Sequence, residues 1–387
     1  MLEKIYLYIF SKKIGEYWLF VLGLSIILWT LCRHSLRGRP IKYGIIAQLL
    51  LLSGAALVLF SLALAFLNGN ISRQKNNIFS IIFNVLVISL MLELLFWVFQ
   101  SLSLIPKRGD DARWAIGVFL SPSENPFNLM NNKVNNPILN AKSVKDVKAR
   151  FVADPFILRN DDIYYMFFEV YNEKTKQGDI GLSISTDGIR WAYKKIVLDE
   201  PFSLSYPCVF RWGNNFYMIP ETRKMKSVRL YIANKFPYGW IFYRTLMSGQ
   251  EFKDNTIFFY DNLWWLFSET GNNDTLRLYF TKDISGSWYE HPKSPVIIGN
   301  RHFARPAGNI FYFNNKLYRF AQDDDPYYGK QIWGFEIEHI STLDYKEHLI
   351  DEQPILLPAN SWIKERSHQI NFIRSCNGGW LVYVDGF

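Results

Sequence analysis

The chain has 387 residues, 49% of them hydrophobic and 17% aromatic, with a formal net charge of +8. That is enough for one large domain or two ordinary ones around a substantial core. The positive residues are scattered, so the charge reads as a solvated basic surface with membrane-flanking residues, not as a nucleic-acid site. Cys32, Cys208 and Cys376 form no CxxC or Cys/His pair of zinc spacing, which excludes a zinc motif and a disulfide framework and fits a reducing compartment.

Residues 1–105 are strongly apolar. After the amphipathic Met1–Gly15, three runs carry almost no charge: Tyr17–Cys32, Tyr43–Leu67 and Ile78–Ile105. About 20 apolar residues span a bilayer as a helix. The pattern therefore predicts three transmembrane helices (17–32, 43–67 and 78–105) in a region covering 1–106, and a multi-pass integral membrane protein with the lipid bilayer as a partner. Arg33-His34 follows the first run where a cleavable signal would have small residues, and two more runs come after it. Arg33, Arg37, Arg39, Lys42, Lys107 and Arg108 stand on one side of this topology, against Lys4, Lys12, Lys13, Arg73 and Lys75 on the other. Positive charge prefers the cytoplasm, so a count of six against five favours a cytoplasmic C-terminal domain.

Residues 107–387 are polar, aromatic and turn-rich. Behind the charged linker Lys107–Arg113 comes a strand-like run, Trp114–Leu120, and a Pro/Asn-rich loop through Asn140. Ala153–Glu169 then reads as two short strands around Arg159-Asn160-Asp161-Asp162, with Asp154 at its start and Glu169 at its exit, fifteen positions on. The unit recurs with the same spacing at Tyr206–Glu221, Asp254–Glu269, Ala307–Gln322 and Ile370–Asp385. Its starts at 154, 206, 254, 307 and 370 lie roughly 50 to 60 residues apart, the period of a propeller blade. Outer strands follow the first four copies: Gly178–Trp191 with Lys194–Leu198, Val228–Ala233 with Trp240–Thr245, Leu276–Thr281 with Trp288–Tyr289, and Ile332–Ile337 with His348–Leu356. The expected fold is an all-β five-bladed β-propeller. Its fifth hairpin ends at Asp385, two residues from the end of the sequence, which would expose an unpaired edge. The strand around 114–120 is therefore expected to return and complete blade five.

In a propeller the innermost strands line a channel, so their opening residues converge on one mouth. Asp154, Asp254, Arg305 and His368 are singled out there, with Tyr206 at the equivalent point of blade two. Carboxylates accept sugar hydroxyls or serve as acid and base, and Arg fixes an anionic group such as phosphate or uronate. Bland readings stand beside these: Asp154 before Pro155 caps a turn, and His368 satisfies backbone carbonyls. Glu169, Glu221 and Glu269 share the exit position, which reads as a repeated structural bond, with Glu221 and Glu269 also candidate substrate contacts. Asp323-Asp324-Asp325 matches no calcium loop and reads as a solvated turn. SISTDGIRW is close to a folding box of sugar-processing propellers. No phosphate loop, nucleophile signature or metal motif is present, so no cofactor or metal is expected.

FVADPF, QGDIGLSISTDGIRW, LSYPCVFRWGNNFYMIPE, LWWLFSE and LYRFAQDDDPYYGK resemble the N-terminal domain of plant glucosamine inositolphosphorylceramide transferases and its bacterial relatives. That domain is itself similar to the five-bladed propellers of glycoside hydrolase family 43, and the resemblance covers roughly residues 112–387. It implies Asp154 as general base or nucleophile and Asp254, or Glu251 just upstream, as general acid. Tyr206-Pro207-Cys208-Val209 puts Cys208 where the hydrolases carry a pKa-tuning Asp. In the plant proteins the transfer chemistry resembles that of a separate C-terminal domain. The expectation is a membrane-anchored, carbohydrate-active propeller with glycoside hydrolase or glycosyl-transfer-like activity on a surface glycan or glycolipid. Tyr206, Glu221, Glu269, Arg305 and His368 would contact the substrate. The alternative is a non-catalytic glycan-binding module that holds glycan-biosynthesis enzymes at the membrane.

Overall fold

The computed structural model describes residues 113–130, 134–358 and 362–387. The apolar runs at 17–32, 43–67 and 78–105 lie outside the described residues, and among those described no helix is long and apolar enough to cross a membrane.

The described part is a five-bladed β-propeller. Strand β1 (Ala115–Ser121) comes first and belongs to the last blade. Blade one is β2 (Ala149–Asn160), β3 (Ile163–Asn172), β4 (Gln177–Ser185) and β5 (Ala192–Leu198). Blade two is β6 (Ser205–Trp212), β7 (Asn215–Glu221), β8 (Ser227–Lys235) and β9 (Tyr238–Ser248). Blade three is β10 (Lys253–Tyr260), β11 (Leu263–Glu269), β12 (Leu276–Thr281) and the short β13 (Tyr289–Glu290). Blade four splits its inner strand into β14 (Arg305–Pro306) and β15 (Phe311–Phe313), then adds β16 (Lys316–Asp323), β17 (Gln331–Ile340) and β18 (Tyr345–Leu349). Blade five is β19 (Ile370–Arg374) and β20 (Trp380–Gly386), and β1 pairs antiparallel along β20 from Ala115–Gly386 to Ser121–Trp380. Two ends of the described chain thus share one sheet, which leaves β20 no open edge.

The hairpins form where the sequence supplies residues that tolerate a left-handed backbone. Asp261-Asn262 and Asn314-Asn315 have positive φ at both positions, as a two-residue type I′ turn requires. Inner strands are buried on both faces because each blade packs between two others, so Tyr164, Met166, Phe167 and Phe168 run together without polar alternation. The outermost β5 and β9 alternate with water instead. The core consequently lies between blades. Phe156 and Phe167 meet Tyr206 and Met218 across the first seam, and Tyr164 and Phe168 meet Leu381 and Tyr383 across the closing one. Each such ring is worth roughly 1.5–3 kcal/mol of burial. The SISTDGIRW box does fold the chain: Asp187 accepts the N–H groups of Ile189 and Arg190, and Trp191 donates to Gly188 O, which also receives the Tyr383 hydroxyl of blade five.

Candidate functional site

The site is built on a repeated irregularity. The inner hairpins of blades one, two and three shift register at Asp154-Pro155, Tyr206-Pro207 and Asp254-Asn255. Asp154, Tyr206 and Asp254 sit there at φ 54°, 45° and 48°. A left-handed L-residue costs about 1–2 kcal/mol, but the bulge re-aims its N–H toward the next blade. A carboxylate waits in each case. Asp154 N donates to Asp385 Oδ2 at 3.0 Å, Tyr206 N to Asp154 Oδ2 at 2.9 Å, and Asp254 N to Glu221 Oε2 at 3.2 Å. Charge-assisted bonds of this kind offset the strain. In blade four the positive-φ residue is Gly308, one place after the Ala307 start, at φ 131°, where a Cβ would lie 1.9 Å from Ile370 O.

Tyr206 is buried between the blades. Its hydroxyl accepts the Gly308 N–H at 2.7 Å and lies 2.8 Å from Thr256 Oγ1, so one side chain ties blade two to blades three and four. Cys208 is buried with Sγ 3.3 Å from Asn309 Oδ1, and burial pushes its thiol up to about 12.

His368 has Nδ1 2.7 Å from Asp385 Oδ2 and Nε2 3.8 Å from Asp154 Oδ1. Burial opposes its charge, but Asp385 and Asp154 overcome that and raise it to about 9. Burial, aided by Asp385 and Asp254 and opposed by His368, lifts Asp154 to about 7. Asp154, His368 and Asp385 bring donor atoms within 4.8 Å of one another, a set that a metal ion could use only by displacing the imidazolium proton. Trp114 stacks on the His368 ring at 4.2 Å, and Tyr328 meets its edge at 5.0 Å.

Arg305 is the second charged anchor. Its Nε lies 2.6 Å from Asp254 Oδ2, and its terminal nitrogens lie 3.8 Å from Glu221 and 4.0 Å from Asp324. Gln322 also donates to Asp254 Oδ2, at 2.7 Å. Burial and the Asp254 charge push Glu221 up to about 8 despite Arg305.

These groups open into a cavity of about 570 Å³ at the mouth of the channel. Glu221, Arg305 and His368 line it. Asp154, Asp254 and Tyr206 lie buried outside that lining, hydrogen-bonded to neighbouring blades. Glu269 is fully buried, held by Lys253 Nζ at 2.8 Å and by the N–H groups of Gly271 and Asn273. Glu251 is exposed between β9 and β10, away from the cavity lining. Glu221 and Glu269 both make structural bonds, but not the same bond repeated: Glu221 accepts from the next blade and Glu269 from its own loop.

The Asp323–Asp325 run is not a solvated turn. Asp323 and Asp324 are fully buried. Asp323 accepts from Gln331, Trp333 and the Asp325 N–H and contacts His302, which binds the β16–β17 loop together. Sequence reasoning also missed Trp114 and Tyr328 as cavity walls, and Arg150, Lys176, Arg223 and Lys224 as its rim. One signal was available: the four cations flank the start and exit positions, at the same end of their hairpins.

Residues 107–387 match the model of the family described as glucosamine inositolphosphorylceramide transferase 1, N-terminal. A glucosamine inositolphosphorylceramide transferase 1 of Oryza sativa subsp. japonica is 34% identical over 299 residues, covering 71% of this chain and 40% of that protein. The Arabidopsis thaliana protein of the same name is 33% identical over 315 residues, covering 74% and 40%. The chain spans about 40% of the length of the curated relatives it matches. Among solved structures, a glycosyl hydrolase from Bacteroides ovatus superposes with a TM-score of 0.50 at 9% identity, over 68% of this chain and 95% of that one, a likeness of fold.

Proposed function

The chain belongs to the family of glucosamine inositolphosphorylceramide transferase 1, N-terminal, and from that premise we propose that it is a membrane-anchored propeller that binds a glycan or glycolipid head group at its channel mouth. One observation carries this reading: the half-buried Tyr328, Tyr171 and Phe151 line a cavity into which Glu221, Arg305 and His368 converge. Sugar rings lay C–H faces on aromatic surfaces while charged groups take their hydroxyls, and a concave site with few convergent polar groups suits that division. Binding is favoured over turnover because Asp154 and Asp254 already accept bonds from Tyr206, Arg305 and Gln322. Anchoring is supported by the three apolar runs, and the count of positive residues favours a cytoplasmic propeller. Glycan-biosynthesis enzymes held beside the bound glycan would be its partners.

A second reading, glycosyl cleavage or transfer, is favoured by Glu221 alone. A carboxyl that keeps its proton up to about 8 at the wall of the cavity has the state a general acid needs at neutral pH. The deciding experiment screens the purified full chain against lipid-linked and free glycans, with binding and product release both followed. Binding without product supports the module. Product release that Glu221→Gln abolishes replaces it with the enzyme, and no binding to any glycan overturns both.

A further inference from the structure

The cavity walls differ in chemistry. Blades one and two supply Arg150, Lys176, Arg223 and Lys224 beside the aromatic Phe151 and Tyr171, whereas blades four and five supply Arg305, Tyr328, Trp114 and His368. Five Arg or Lys side chains face two Glu, Glu169 and Glu221, in this lining. Arg305 was the residue expected to fix an anion, but its Nε is held 2.6 Å from Asp254 and its side chain is only 11% exposed. Arg223 differs: its side chain is 50% exposed and its Nε lies 3.6 Å from Glu221, beyond hydrogen-bond length. Lys176 and Lys224 are likewise exposed.

A neutral glycan filling this cavity would strip water from Arg223 and Lys224 and give them nothing in return, a cost that subtracts directly from affinity. We infer that the ligand, on the glycan-binding reading above, carries a phosphate or carboxylate seated against Arg223 and Lys224, with its sugar ring against Tyr328. The guanidinium fork of Arg223 matches either anion in a planar, two-bonded contact, and Lys224 adds a point charge beside it. Arg150 and Lys176 extend the positive field over the mouth and raise the local concentration of anions. Glu221 weakens that field little near neutrality, because burial keeps its carboxyl protonated up to about 8.

Isothermal titration of the full chain with glucose, glucose 1-phosphate, glucuronic acid and inorganic phosphate tests this. At low salt at least one of the two anionic sugars is expected to bind about tenfold tighter than glucose, an advantage that shrinks as salt is added. The phosphate and carboxylate arms tell the two anions apart. The Arg223→Gln/Lys224→Gln double variant is expected to erase the advantage with thermal unfolding unchanged, and Tyr328→Ala to weaken all three sugars alike. Glucose binding as tightly as both anionic sugars would overturn the anion inference and leave the glycan reading standing. Inorganic phosphate matching glucose 1-phosphate would overturn the glycan reading instead, and no binding at all would overturn both.

Discussion

Asp154 Oδ2 accepts the backbone N–H of Tyr206 at 2.9 Å, 52 positions along the chain, while the N–H of Asp154 itself is taken by Asp385. One residue therefore joins blade five to blade one and blade one to blade two. Asp154→Ala would orphan a buried N–H, which costs about 1–3 kcal/mol, and would leave the His368 charge with one carboxylate fewer. Asp154→Asn keeps an acceptor oxygen and is expected to lose less. Chemical denaturation of both variants checks this, and equal midpoints would contradict the bracing role.

The same mouth predicts an unusual pH profile. His368, Glu221 and Asp154 are raised to about 9, about 8 and about 7. All three hold their protons more tightly folded than unfolded. Their contribution is therefore complete below the unfolded values and is lost as pH rises through the folded ones. Thermal unfolding followed across that window should show a falling Tm, and His368→Gln should flatten its upper part. A Tm that climbs toward alkaline pH would refute the shared-proton picture.

The propeller was legible because its hairpin repeats with fixed spacing and because Asn and Asp mark the turns. Periodicity also found the level of the site, since 154, 206 and 254 are the three bulged positions. It could not say what each side chain meets across the ring. Asp254 looks available in sequence, yet Arg305 and Gln322, 51 and 68 positions away, consume it. Tyr206 looks like a ligand contact, and its buried hydroxyl is taken by Gly308 and Thr256. Of the rim cations only Arg150 lies in a strand, Lys176, Arg223 and Lys224 sit in the turns after the exit positions, and Trp114 reaches His368 only because β1 closes the ring.

Arg305 offers a test of that hidden pairing. Removing one partner of a buried ion pair costs about 3–5 kcal/mol, because the remaining charge keeps its desolvation penalty. Arg305→Ala should fall in that range. Arg305→Lys should recover only part of it, since an ammonium cannot reproduce the fork that meets Asp254, Glu221 and Asp324 together. Adding Asp254→Asn to Arg305→Ala should restore stability relative to the single change. Simple additivity in this double-mutant cycle would show the pair to be uncoupled.

Glu221 and Glu251 separate the two acids that sequence alone left side by side. Glu251 is exposed and outside the cavity lining, so Glu251→Gln is expected within about 0.5 kcal/mol of the parent and without effect on glycan binding. Glu221 is buried and accepts the Asp254 N–H, a bond that the amide oxygen of Gln can also accept. At neutral pH the native carboxyl already holds its proton, so Glu221→Gln copies the resident state and should change stability little. Above about pH 8 the parent must ionise a buried acid beside Asp254 while the amide need not. The variant should therefore become the more stable protein there. A crossing of the two Tm curves near that pH is the expected result; parallel curves would mean that Glu221 is already ionised at neutral pH.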